Sequence, residues 1–149
     1  MDLGLEGKVV LVTGGVRGIG AGISRSFLRA GATVVTCARR PADEAIEVDG
    51  RGVDFIACDV RDAEQVQSMI DRIVAKYGRL DTVVNNAGGA PFAMAADAGP
   101  KFHSKIVELN LLAPLLISQI ANAVMQKQED GGSIVMISSV SGSRPSPGT

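Results

Sequence analysis

The chain has 149 residues, 46% hydrophobic and 21% charged. That is enough for one domain with a sizeable core, and too apolar for a disordered polymer. Its 15 Lys and Arg nearly cancel 16 Asp and Glu, and one Tyr, four Phe and no Trp offer neither the charge nor the stacking surface of a nucleic-acid binder.

Two cysteines, Cys37 and Cys58, and a single histidine, His103, are too few for a disulfide framework, a zinc site or a His-rich metal centre. Met1–Lys8 carries Asp2 and Glu6 with no basic stretch ahead of an apolar core, so it does not read as a secretory signal. Lys8–Thr13 is a continuous apolar run, the pattern of a strand buried on both faces. Gly14-Gly15 ends it. From Gly18 a helix is predicted, with Ile19, Ile23 and Phe27 on one face and Gly31 as its stop. Ala32–Cys37 predicts a second strand, and Pro41 a short helix through Val48 closed by Asp49-Gly50. Val53–Ala57 predicts a third strand. Asp62–Tyr77 is the clearest helix, apolar at Val66, Met69, Ile70, Ile73, Val74 and Tyr77, and Gly78 ends it.

Leu80–Val84 predicts a fourth strand, followed by a loop rich in Gly, Ala and Pro up to Pro100. A long helix is predicted over Lys101–Lys127. Its apolar zone, Ile106–Met125, is interrupted by Glu108, Asn110, Pro114, Gln119 and Asn122, which argues against a membrane span. Gly131-Gly132 leads into a fifth strand, Ser133–Ile137, and Ser138–Thr149 reads as loop. A cytoplasmic location is expected. The alternation of strand and helix predicts a doubly wound parallel α/β sheet in the order 3-2-1-4-5, one domain over 1–149, with ligands at the carboxyl ends of its strands.

Those ends carry the candidate chemistry. Thr13-Gly14-Gly15-Val16-Arg17-Gly18-Ile19-Gly20 places glycines between a strand and a helix, where a phosphate can approach amide N–H groups; a plain turn is the alternative. No Lys-Ser/Thr follows, so a P-loop is excluded. After the second strand, where an acid would read a ribose, stand Ala38-Arg39-Arg40. Arg39, with Arg17 across the turn, is suited to a 2′-phosphate, or else both solvate a loop. Asp59 beside Val60 offers an acceptor carboxylate and an apolar cover for an adenine, or a cap for the helix near Asp62. Asn85-Asn86-Ala87-Gly88-Gly89 gives bare backbone for a cofactor to lie on, or amides that brace strand ends.

Taken together these residues resemble the short-chain dehydrogenase/reductases, over essentially the whole chain: the glycine turn, Asp59, Asn85-Asn86-Ala87-Gly88, Asn110 and Ser138-Ser139 occur in the family's order. The resemblance implies a Rossmann-type fold and hydride transfer between a nicotinamide dinucleotide and a small-molecule alcohol or carbonyl. The cofactor is expected to be NADP, with NAD as the alternative. Gly14, Arg17, Gly18, Ile19, Gly20, Arg39, Asp59, Val60, Asn86, Ala87, Gly88 and Ser138 are then cofactor-binding positions. Ser139 looks like the serine that hydrogen-bonds the substrate oxygen, and Asn110 like the catalytic asparagine. Pro114, four residues on, has no N–H for the Asn110 carbonyl and frees it to hold a water. No metal is implied.

The departure from the family is that its Tyr-x-x-x-Lys pair falls beyond Thr149, where the sequence stops, and the one tyrosine, Tyr77, lies on a core stripe. The expectation is an N-terminal portion of a longer oxidoreductase, inactive alone, with a non-catalytic dinucleotide-binding module as the rival. A methyltransferase on a similar sheet is disfavoured, because its ribose-reading acid is missing. An unpaired edge at the fifth strand and leucines at 111, 112, 115 and 116 predict self-association as a homo-oligomer, or else a stability far below that of the full enzyme.

Overall fold

The apolar run after Lys8 becomes β1 (Val9–Thr13), all five residues buried, in a computed structural model that describes residues 3–94 and 96–144. Then follow α1 (Gly18–Arg29), β2 (Thr33–Ala38), two short strands β3 (Glu47–Val48) and β4 (Arg51–Gly52), β5 (Asp54–Ala57) and α2 (Ala63–Tyr77). Next come β6 (Thr82–Asn85), α3 (Pro100–Val107), a π-helical turn over Glu108–Leu112, α4 (Ala113–Met125), β7 (Ser133–Met136) and a 3₁₀ turn over Val140–Gly142. The sheet order is β5-β2-β1-β6-β7, and every pair is parallel. Counting the sheet strands alone, that is the expected 3-2-1-4-5. Residues 145–149, the end of the predicted loop, lie outside the described residues.

Helices cover both faces of the central strands, which is why β1 and β2 are apolar without alternation. One layer packs Leu11, Val35 and Val83 against Val66, Ile70 and Ile73 of α2 and Ile117 and Ala121 of α4. The other packs Val10, Val12, Val34 and Val84 against Ala21 and Leu28 of α1. In α2 the predicted stripe holds at Val66, Met69, Ile70 and Ile73. Asp62 caps it by accepting the Glu64 and Gln65 amides, and Gly78 closes it in the left-handed conformation at φ +75°.

Four expectations are corrected. The face of α1 set on the sheet is Gly20, Ala21, Ser24 and Leu28, so Ile23 and Phe27 lie at its margin and Ile19 is 71% exposed. Small residues let α1 approach β1, and Ser24 donates back to the Gly15 and Gly20 carbonyls at 3.1 and 3.0 Å. Residues 41–48 form no helix: β3 pairs antiparallel with β4 through Asp49 (φ +52°) and Gly50 (φ +75°). Two positive φ values in a two-residue loop are what a type I′ hairpin requires, so Asp-Gly signalled a hairpin. The long helix runs from Pro100 to Met125 and is long and apolar enough to cross a membrane by length and composition, despite the polar interruptions. Here it packs Ala113, Ile117, Ala121 and Met125 on the sheet while Leu111, Leu112 and Leu115 are exposed. Tyr77 is half-buried at the core margin, and its hydroxyl donates to Asp54 at 2.7 Å.

At the amino-terminal end of the sheet, Asp81, just before β6, ties that strand to its neighbour β1. It accepts the Val9 amide at 2.8 Å and an Arg79 fork at 2.8 and 2.5 Å, with Lys8 at 3.4 Å. Burial alone would raise its pKa, but Arg79, the Val9 amide and Lys8 outweigh burial and hold the carboxyl below the usual 3.8. A lowered native pKa stabilises the fold above the unfolded-state value, and that stabilisation is lost as pH falls through the native one. Urea unfolding should therefore show stability declining below about pH 4. Asp81→Asn should lose about 1–3 kcal/mol at pH 7 and be less acid-sensitive than the parent.

Candidate functional site

The carboxyl ends of β1 and β6 are fastened together by the buried Thr13. Its hydroxyl accepts the amides of Asn86 and Ala87, both at 3.0 Å, and donates to the Val84 carbonyl at 3.3 Å. The Asn86 side chain donates in return to the carbonyls of Thr13 (2.9 Å) and Gly14 (3.3 Å). The bracing role open for Asn86 is therefore filled. Around this clamp the glycines have separate reasons. Gly14 sits at φ +63°, and a Cβ there would lie 3.1 Å from the Ala87 Cα. A Cβ on Gly20 would lie 2.2 Å from the Gly14 carbonyl oxygen, so no side chain fits. At Gly18 (φ +52°) nothing lies within 4 Å of that position, and the turn is open outward. Among the described residues no side chain caps α1, which leaves its first-turn amides at Gly18, Ile19 and Gly20 to an anion.

Arg17 and Arg39 are exposed at the ends of β1 and β2, and neither makes an ion pair with the described residues. Asp59, after β5, is gripped by Arg61: Nε reaches Oδ1 at 2.9 Å, Nη2 reaches Oδ2 at 2.5 Å, and the Arg61 amide reaches Oδ1 at 3.1 Å. The Arg61 fork, with help from the charge of Arg39, overcomes burial and brings Asp59 down to about 2. The helix-cap alternative for Asp59 is not realised, since Asp62 caps α2. Val60 is 6% exposed and packs in the core, so its side chain is not an exposed apolar cover.

On the other side of the clamp, Asn110 is not a solvated amide. Its Oδ1 accepts the Gly89 amide at 2.8 Å and its Nδ2 donates to the carbonyls of Gly89 (3.0 Å) and Ile106 (2.9 Å). A Cβ on Gly88 would lie 2.9 Å from that Oδ1, so Gly88 admits Asn110 to the loop. The Ala113 amide donates to Glu108, five residues back, and Pro114 has no N–H. The carbonyls of both Leu109 and Asn110 thus lose their α-helical donors, one more than Pro114 alone releases. Asn85 donates to Ser118 at 3.1 Å and Ser118 to the Pro114 carbonyl at 2.6 Å, while the buried Asn85 Oδ1 has no partner among the described residues. Ser138 is exposed, and the Ser139 hydroxyl accepts the Ser141 amide at 3.2 Å, capping the 3₁₀ turn. His103 is exposed on α3, edge-on to Phe102.

The structure thus brings the glycine turn, Asn86, Ala87, Gly88 and Asn110 into one bonded unit, sets Asp59 near Arg39, and places Ser138 and Ser139 past the end of β7. The sequence profile of short chain dehydrogenases matches residues 8–149. The chain belongs to the short-chain dehydrogenase family. L-fucose dehydrogenase of Bos taurus is 39% identical over 138 residues, which cover 91% of this chain and 50% of that protein. Tropinone reductase-like 3 of Erythroxylum coca is 37% identical over 94% of this chain and 55% of its own length. Among solved structures, the ligand-free aldohexose dehydrogenase of Thermoplasma acidophilum matches with a TM-score of 0.84 at 33% identity, over 94% of this chain and 52% of that one. The chain spans about half the length of the curated relatives it matches.

Sequence reasoning left out Arg61 and Ser118, and placed Thr13 and Gly89 in their motifs without a role of their own. Thr13 had a signal, a hydroxyl closing an apolar strand just before the glycines, and Arg61 had another, a cation two residues from an acid that caps nothing. Ser118 and Gly89 had none without the fold. Thr13→Val should strand the Asn86 and Ala87 amides and lower the unfolding free energy on the order of 1–3 kcal/mol for each. Thr13→Ser, which keeps the oxygen, should recover most of it in the same denaturant titration.

Proposed function

We propose that this chain forms the cofactor-binding part of an NADP(H)-preferring oxidoreductase that interconverts a small-molecule alcohol and a carbonyl. The observation that carries the cofactor choice is the pair of exposed arginines, Arg17 and Arg39, at the strand ends without carboxylate partners among the described residues. Permanently charged forks of this kind suit a 2′-phosphate, whereas an acid at that place suits a free ribose hydroxyl. The geometry fits a dinucleotide: the turn is open at Gly18, and the first amides of α1 are uncapped.

In this reading the amides of Gly18, Ile19 and Gly20 bind the pyrophosphate, with Gly14 allowing close approach. Asp59 accepts the adenine amino group beside the Val60 backbone. Asn86, Ala87 and Gly88 underlie the ribose and nicotinamide, with Ser138 nearby. When bound, the nicotinamide ring supplies or accepts the hydride. Ser139 keeps its hydroxyl hydrogen free to donate to the substrate oxygen, because its oxygen is the acceptor for Ser141. Asn110 is held by Gly89 so that its released carbonyl can bind a water. The proton donor is not supplied by Tyr77, whose hydroxyl serves Asp54, so the 149-residue chain by itself turns over no substrate. That same hydrogen bond supports the second reading, a dinucleotide-binding unit without catalysis. A cytoplasmic location, and a homo-oligomer formed through the exposed β7 edge and Leu111, Leu112 and Leu115, belong to the proposal.

Calorimetric titration tests the reading. NADPH should bind tighter than NADH by about tenfold or more, and Arg39→Asp should reverse the order. Equal affinities before and after the change would overturn the assignment. Incubation of the chain with NADPH and a panel of ketones and aldehydes should give no turnover, and an enzyme-like rate lost in Ser139→Ala would overturn the inactivity.

A further inference from the structure

We propose that Arg61 is a positioning residue for the adenine-reading carboxylate: its guanidinium fork fixes Asp59 so that one acceptor position, on Oδ2, is left for a single exocyclic amino N–H. The inference rests on the dinucleotide reading above and deepens it, by assigning base discrimination to a residue that does not itself read the base.

A carboxylate offers about four acceptor positions. On Asp59, Oδ1 takes two N–H groups, from the Arg61 amide and Nε, and Oδ2 takes one, from Nη2. Among the described residues nothing else donates to Oδ2. Planar fork-to-carboxylate pairing also fixes the plane of the carboxyl group, so the remaining position has a set direction. The backbone beneath is equally constrained. The Asp59 amide donates to Gln65 Oε1 at 2.9 Å, Gln65 Nε2 donates to Asp62 at 2.8 Å, and the Asp62 amide donates to the Asp59 carbonyl at 3.0 Å. Helix α2 needs nothing from the Asp59 side chain, since Asp62 caps it. An exposed ion pair two residues apart contributes little to stability. Its consequence is orientation, at the end of the strand beside Arg39, where an adenosine would lie.

Adenine presents an amino group where hypoxanthine presents a carbonyl oxygen, and a carboxylate with one free acceptor position tells them apart. The experiment is titration of the chain with NADPH and with its hypoxanthine analogue, repeated for Arg61→Ala and Arg61→Lys, with the thermal unfolding midpoint as the fold control. The Arg61 and Asp59 side chains are 31% and 26% exposed, so both variants should stay folded, with a midpoint no more than slightly below the parent's. The parent should favour NADPH by roughly tenfold or more. In Arg61→Ala that ratio should collapse towards one through weaker NADPH binding, and Arg61→Lys, with charge but no fork, should fall between. An unchanged ratio in Arg61→Ala overturns the inference, as does tighter NADPH binding, which would make Arg61 a plug. A parent that binds both dinucleotides equally also overturns it and leaves the cofactor reading standing. A parent that binds neither overturns both.

Discussion

The Thr13 hydroxyl takes two amides from the turn after β6 and gives one bond to the β6 backbone, at the point where two parallel strands have stopped pairing. Chains diverge there to cross to opposite faces of the sheet, and the crevice between them is where this architecture binds ligands. Without the clamp, Asn86 would have no fixed carbonyls to serve. Gly14 and Gly20 are tight because the clamp brings Ala87 and Asn86 close, and the loop it starts is the one that Asn110 holds at Gly89. Helix α1, both central strands and the π turn are thus linked through a few short bonds, so the crevice walls are set by backbone.

Arginine–carboxylate forks occur at both ends of the sheet with different effects. Asp81 is nearly dry, 8% exposed, and its Arg79 fork and Val9 amide convert a charge that burial would penalise into a tie between strands. Asp59 is wetter and holds no strand in place; its Arg61 fork fixes the charge and direction of a carboxylate at the carboxyl end of the sheet. The same pair of residue types anchors structure in one place and, in the proposed reading, orients a recognition group in the other.

Strands β1 and β2 and helix α2 were legible in the sequence because burial on both faces writes a continuous apolar run, and burial on one face writes a 3.6-residue stripe. Gly78 was legible as a stop because its left-handed conformation is one that glycine adopts freely. The errors arose where that coupling between burial and pattern fails. The sheet side of α1 is made of Gly20, Ala21 and Ser24, which no hydropathy stripe marks, while the apolar Ile19 points to solvent. Residues 41–48 bury only Ile46, so there was no periodicity to correct the reading of Pro41. Around the candidate site, the sequence showed which residue types stand at the strand ends. Their partners were not legible: Asn110 with Gly89, and Asn85 with Ser118, are joined only by the folded chain.

The π turn also has a geometric consequence for the length of its segment. Each residue advances an α-helix by about 100°, so one extra residue in a turn rotates everything on one side of it relative to the other by more than a quarter of a circle. Downstream, Ala113, Ile117, Ala121 and Met125 keep a strict four-residue beat against the sheet; upstream, α3 buries nothing. The offset lets one continuous helix address two directions, the sheet with its second half and the Gly89 loop with Asn110. Chain length between Val107 and Ala113 is accordingly as constrained as composition. A homologous sequence with one residue fewer there could keep each of the same side chains and still carry Asn110 at a different azimuth, facing away from the crevice.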